Sequence, residues 1–223
     1  MNRTINIAID GPSGAGKSSM ARRIAASMGF LYIDTGALYR AVGLYVYRRG
    51  LDGLNAQEVA ACLPEIELSL THEDGVQQVW LNGENVSGEI RLPAISEHAS
   101  RVSAIPAVRA FLLETQRRLA REHDVIMDGR DIGTVILPDA QVKIFLHADV
   151  EDRARRRFEE LRERGTPQPY EEVLRDMRLR DERDSVRTLA AADAVDIDTT
   201  GNSFEQSLEL LTNLIRERLT HVL

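Results

Sequence analysis

The residues of this chain whose types and spacing suit chemistry begin at Gly11. From Gly11 to Ser18 the sequence reads GPSGAGKS, which fills every required place of the pattern G-x-x-x-x-G-K-[S/T]. Glycines at 11, 14 and 16 let a backbone turn tightly around an anion, so that successive N–H groups and the start of a helix point at phosphate oxygens. Pro12, Ser13, Ala15 and Ser19 complete the loop. Lys17 then brings a compact ammonium to the β- and γ-phosphates of a nucleoside triphosphate, and the Ser18 hydroxyl is placed to ligate Mg2+. The flanks agree: Ile5 to Ile9 is an apolar, β-branched run of strand length, and Met20, Ile24 and Met28 recur at helical spacing. Only Lys17 and Lys143 are lysine among 28 basic residues, so the loop keeps an ammonium in a chain that otherwise uses arginine. The plain alternative, a glycine-rich connection between a strand and a helix, leaves this full spacing to coincidence.

Four further clusters carry charge or polar groups at useful places. Asp34 to Ala41 (DTGALYRA) follows a second strand-like run and includes Thr35, Tyr39 and Arg40. Asp128 to Thr134 (DGRDIGT) contains Gly129, Arg130 and Asp131 after an apolar run, at the carboxyl end of a strand, where open α/β sheets bind ligands. Arg180, Asp184 and Arg187 lie at i, i+4 and i+7, one stripe if the segment is helical. Arg153 to Arg157 (RARRR) adds a basic helix. Each has a bland reading, since arginine and aspartate stripes are commonly solvated faces with weak ion pairs, and Tyr39 suits a half-buried core position. A guanine-reading Asn/Thr-Lys-x-Asp motif is absent, which argues against a GTP switch.

These groups need rigid elements to position them. Strand-like runs at 5–9, 30–33, 125–127, 142–146 and 194–197 alternate with helical patterns at 37–49, 108–122, 151–164, 170–183 and 204–219. That alternation predicts a parallel five-stranded sheet of the P-loop NTPase type with helices on both faces. Glu65 to Ser87 breaks the rhythm with period-two alternation and turn signals at Glu73-Asp74-Gly75 and Asn82-Gly83, which predicts a small antiparallel β insertion; a helical pair interrupted at Pro106 follows. Length 223, hydrophobic content 43% and charged content 28% suit one α/β domain with an insertion. A net charge of −7 argues against bulk binding to nucleic acid or anionic membranes. One cysteine, Cys62, allows no internal disulfide and points to a reducing cytoplasm. The strand-like run begins too early to leave room for a signal peptide, and no apolar run approaches bilayer length.

Taken in order, AIDGPSGAGKSS, DTGALYRA, VSGEIR, DGRDIGTV, PDA with VKIFL, and RDSVR resemble the bacterial cytidylate kinases of the nucleoside-monophosphate kinase group over nearly the whole length. The β insertion followed by VSGEIR is the more diagnostic part. The resemblance implies transfer of the ATP γ-phosphate to CMP or dCMP with Mg2+, a helical lid, and a monomer working on small molecules without nucleic acid or membrane partners. It implies a core of residues 1–36, 107–150 and 190–223, an acceptor region at 37–106, and a lid with arginine-rich helices at 151–189. Ser100, Arg109 and Asp131 are then expected on the cytosine ring. Arg40 and Arg130 are expected on the acceptor phosphate with Thr35, Tyr39 and Gly129 nearby, and Arg180, Asp184 and Arg187 around the ribose and transferring phosphates. Lys17, Arg130, Arg180 and Arg187 are the expected catalytic groups. A role of Asp128 in holding Mg2+ through water stays open. So do UMP, AMP or a non-nucleotide such as shikimate as acceptor, and a non-catalytic ATP-binding switch.

Overall fold

The computed structural model describes residues 4–73 and 76–220, which divide into two compact units. The first comprises Met1–Tyr32 and His123–Leu223, the second Ile33–Glu122.

The first unit is built on strands β1 (Asn6–Asp10), β2 (Leu31–Asp34, whose second half opens the other unit), β6 (Val125–Gly129), β7 (Val142–His147) and β8 (Val195–Asp198), in the order β2-β6-β1-β7-β8. β1 runs parallel to β6 and β7, and β7 parallel to β8. Central strands covered on both faces have no polar side to alternate with, which explains why β1 is buried from Ile7 through Asp10. Ile7, Ile9, Ile126, Ile144 and Leu146 pack with Met20 and Ile24 of α1 (Lys17–Met28) and with Leu211 and Ile215 of α8 (Phe204–Thr220). α1 stops at Gly29, whose φ of 72° is the left-handed cap that ends a helix and whose N–H returns to Ala25 O. Helices α6 (Val150–Glu163) and α7 (Tyr170–Asp184) pack together through Ala154, Val173, Leu174 and Met177.

The second unit opens with α2 (Thr35–Arg48). Its start lies two residues before the periodicity predicts, because Asp34 caps it: the carboxylate accepts the Ala37 N–H at 2.9 Å. The predicted insertion is a three-stranded antiparallel sheet in order β3-β4-β5, with β3 at Leu68–Glu73, β4 at Val76–Leu81 and β5 at Glu84–Asn85. Asn82 and Gly83 turn β4 into β5 with φ of 49° and 81°, the mirror-image turn that the Asn-Gly pair favours. The other turn signal lies at residues 74–75, outside the described residues. Helices α4 (Pro93–Val102) and α5 (Pro106–Glu122) form the predicted pair. α4 lies so close on α2 that a Cβ at Gly43 would stand 2.8 Å from the Ala99 nitrogen. Leu38, Val42, Ile95, Val102 and Leu112 lie in the core of this unit.

Among the α-helices of the described residues, one was not anticipated. α3 (Ala56–Cys62) is capped by Asn55, whose Oδ1 accepts the Glu58 N–H at 3.3 Å, and it buries Val59 and Cys62. At seven residues it is too short for an apolar period to emerge above noise.

Candidate active site

In the first unit the phosphate loop joins β1 to α1 as a tight backbone cradle. Gly11 lies against β7, where a Cβ would fall 1.9 Å from Leu146 O, and Gly14 and Gly16 take φ of 76° and 86°. The loop thus requires glycine at these places for both conformation and space. Ala15 is fully buried, Pro12 and Ser13 are half-buried, and Ser19 faces outward on the first turn of the helix. Lys17 is 5% exposed, and its Nζ donates to Pro12 O at 2.7 Å. Burial, with Arg130 adding repulsion, lowers its pKa to about 7, against the pull of Asp128 and Asp10 in the opposite direction.

Two carboxylates flank this lysine. Asp10, 3% exposed at the end of β1, accepts the Ile132 and Gly133 N–H groups at 2.7 and 2.8 Å, so the strand before the loop also secures the turn after Asp131. Burial raises its pKa to about 6, an effect that outweighs those two hydrogen bonds. Asp128, 5% exposed, accepts the Ser18 hydroxyl at 2.7 Å and the Tyr32 hydroxyl at 2.8 Å. A serine hydroxyl beside an anchored carboxylate is a hard-oxygen pair that suits Mg2+, which uses one or two protein oxygens and takes the rest from phosphate and water. Among the described residues no group of three or more His, Cys, Asp or Glu could hold a metal by itself.

Asp184, at the end of α7, gathers the arginines. Its carboxylate accepts Arg130 Nε at 3.0 Å and Arg187 Nη2 at 3.1 Å, with Arg180 Nε 4.0 Å away. Burial pushes the carboxyl up, yet the Arg130, Arg180 and Arg187 guanidiniums outweigh it and hold the group below the ordinary value. The helix ends at Asp184, so Arg187 joins the cluster through a turn in which its N–H donates to Asp184 O at 2.9 Å, not along a continued helical stripe. Arg130 also donates to Gly129 O at 3.3 Å, and Asp131 beside it is 8% exposed. Three positive groups around one carboxylate are an arrangement whose charge suits a polyanion, with Arg130 and Arg187 oriented by their hydrogen bonds to Asp184.

The basic run on α6 separates into different roles. Arg153, 4% exposed, makes a two-point pair with Asp181 at 3.1 and 2.6 Å. The same side chain donates to Ser13 O of the phosphate loop and to Ala148 O, each at 2.8 Å. Arg156 pairs with Asp152 at 2.5 Å and donates to Thr199 O at 2.7 Å, while Arg157 pairs with Glu160 at 2.7 Å. Neither Arg153 nor Asp181 was singled out as a site residue from the sequence, because nothing local distinguishes a buried arginine in RARRR from its solvated neighbours.

In the second unit Arg40 donates to Asp34 Oδ2 at 2.6 Å, and Gly36 lies beneath it: a Cβ there would stand 3.2 Å from Arg40 Nη1 and 3.1 Å from Asp34 Oδ1. Thr35 is 3% exposed. The Arg109 guanidinium of α5 sits over the Tyr39 ring at 5.9 Å, a cation–π pair. Ser100 is on α4, half-buried, and its carbonyl accepts the Ser103 hydroxyl at 2.9 Å.

The sequence profile of the family described as cytidylate kinase matches residues 7–217. A cytidylate kinase of Caldanaerobacter subterraneus subsp. tengcongensis is 48% identical over 221 residues, covering 97% of each chain. One from Geobacter sulfurreducens is 46% identical and covers 97% of this chain and 94% of its own. Among solved structures, an uncharacterized protein from Eubacterium ventriosum is similar with a TM-score of 0.56 at 14% identity, covering 96% of this chain and 99% of its own, a likeness of fold alone. With the profile covering all but the first and last few residues, and relatives at this identity covering both chains almost end to end, the chain belongs to the cytidylate kinase family.

Proposed function

We infer that this protein transfers the γ-phosphate of ATP to CMP or dCMP, giving CDP or dCDP and ADP. The observation that carries the reading is the near-complete match to cytidylate kinases, 48% identical over 97% of both chains. The phosphate loop with Lys17 and the Ser18–Asp128 pair supports it chemically. The protein acts as a monomer on small molecules in the cytoplasm, without a nucleic acid or membrane partner. A net charge of −7 argues against nucleic acid and anionic membranes as partners, and among the described residues no helix is long and apolar enough to cross a membrane.

The nucleophile is an oxygen of the acceptor phosphate. Its second pKa is about 6, so at neutral pH it is mostly ionised and needs no general base. The barrier lies in bringing two polyanions together, and catalysis is positioning plus charge compensation. Backbone N–H groups of residues 13–18 hold the donor phosphates, and Lys17 takes up a proton as they arrive. Ser18, with Asp128 behind it, would hold Mg2+, which would supply positive charge against the phosphate oxygens. Arg130, Arg180 and Arg187 compensate the transferring group, oriented by Asp184, which also receives ribose hydroxyls. Arg40 takes the acceptor phosphate. Ser100 and Asp131 accept from the cytosine amine and Arg109 donates to its acceptor edge. UMP presents a carbonyl there, leaving those acceptors unpaired at a cost of about 1–3 kcal/mol. The arginine-rich α6–α7 segment closes over the donor and keeps water out.

The test is a coupled assay of ADP formation with Mg·ATP and CMP, dCMP, UMP or AMP in parallel. Turnover concentrated on CMP and dCMP is expected. Preference for another acceptor would overturn the base readers, and silence with all four would overturn the reaction.

A further inference from the structure

On β4 the residues facing the core are Gln77, Val79 and Leu81, buried to 8%, 2% and 3% exposure. An amide at the first of these positions is out of place, because a polar group taken from water without partners is costly. Its partners explain it. Gln77 Oε1 accepts the Asp34 backbone N–H at 2.9 Å, and its Nε2 donates to the Asp34 carbonyl at 3.4 Å. One side-chain amide therefore reads both polar groups of a single residue, as a neighbouring strand would.

That residue holds Arg40. One Asp34 carboxylate oxygen caps α2 through the Ala37 N–H, and the other binds Arg40 Nη2 at 2.6 Å. The guanidinium lies in the space that the missing side chain of Gly36 leaves open. Fixing the Asp34 peptide fixes the carboxylate, and through it the direction in which Arg40 points. The β insertion thus reaches the junction of β2 and α2 by one side chain.

We propose that Gln77 is a positioning residue for the acceptor phosphate, orienting Arg40 through Asp34. The proposal rests on the reading that Arg40 takes that phosphate. It gives the insertion a task in the reaction, since the strand that carries Gln77 is part of it.

The experiment compares Gln77→Met and Gln78→Met in the full chain. Gln78 is the adjacent residue of the same strand, and its amide oxygen accepts Asn85 Nδ2 at 3.2 Å, with no link to Asp34. Gln77→Met fills a core-facing position with an apolar side chain of similar length but leaves the Asp34 N–H and carbonyl without their side-chain partner, so the melting temperature should fall by a few degrees while the chain stays folded at assay temperature. KM for CMP should rise about 3- to 10-fold, the scale of one weakened charge-assisted contact, with KM for ATP unchanged. Gln78→Met should leave both constants alone. An unchanged KM for CMP in Gln77→Met, an equal rise for ATP, or an equal effect of Gln78→Met would overturn the proposal. Wild-type protein inert toward CMP would instead remove the acceptor reading on which it rests.

Discussion

Lys17 makes a measurable prediction about protons. Burial holds its pKa at about 7, with Arg130 and Arg180 adding to the shift and Asp128 and Asp10 opposing it. At pH 8 roughly one molecule in ten then carries the proton, and at pH 7 about half. A triphosphate against the ammonium reverses the balance, because opposite charge at hydrogen-bond distance favours the charged form. Binding of a non-hydrolysable Mg·ATP analogue should therefore take up about 0.9 proton at pH 8 and about 0.5 at pH 7. Asp10, with its pKa of about 6, is already ionised at pH 8 and contributes little there. The assay is isothermal titration calorimetry in buffers of different ionisation enthalpy, in which the slope of observed heat against buffer enthalpy gives the proton number. Lys17→Arg keeps a group that stays charged throughout and should bind without uptake. A zero slope for the wild type at pH 8, or the same uptake in Lys17→Arg, would refute the argument.

The same burial costs the ligand-free fold stability. The unfolded chain holds the Lys17 proton up to its ordinary value of 10.5, the folded chain only to about 7, so the cost is fully present below pH 7 and fades as pH rises toward 10.5. Lys17→Met should raise the melting temperature at pH 6.5 more than at pH 9.5, read by thermal unfolding, while abolishing turnover; a gain that grows with pH would contradict this. Arg153→Ala strands Asp181 and two carbonyls, and should cost about 2–3 kcal/mol in urea unfolding, less than a fully buried pair because Asp181 is 28% exposed. Arg153→Lys should recover only part of it. Asp131→Ala should narrow the ratio of kcat/KM between CMP and UMP by about tenfold, and an unchanged ratio would remove Asp131 from base recognition.

Much of the fold was legible because its signals are local. The strand-loop-helix around Lys17, the Asn82-Gly83 turn and the alternation that surrounds it each depend on residues within a few positions of one another. Short or non-periodic elements were not: α3 has too few residues to show a period, and the start of α2 is set by a cap rather than by its apolar face. In the site, residue types marked Arg180, Asp184 and Arg187, but their assembly depends on a turn after α7 and on Arg130, 54 positions away from Asp184.

By itself the sequence determined the phosphate loop, the order of the parallel strands with their long helices, and the family, because glycine placement, apolar period and motif order are properties of the chain read in line. Only the tertiary structure decided which arginine of RARRR is buried against Asp181, that Asp10 secures the Ile132–Gly133 turn, and that Gln77 holds Asp34. It also decided the protonation of Lys17 and Asp10, since a pKa answers to desolvation and to charges brought near by folding, and neither is encoded in neighbouring letters.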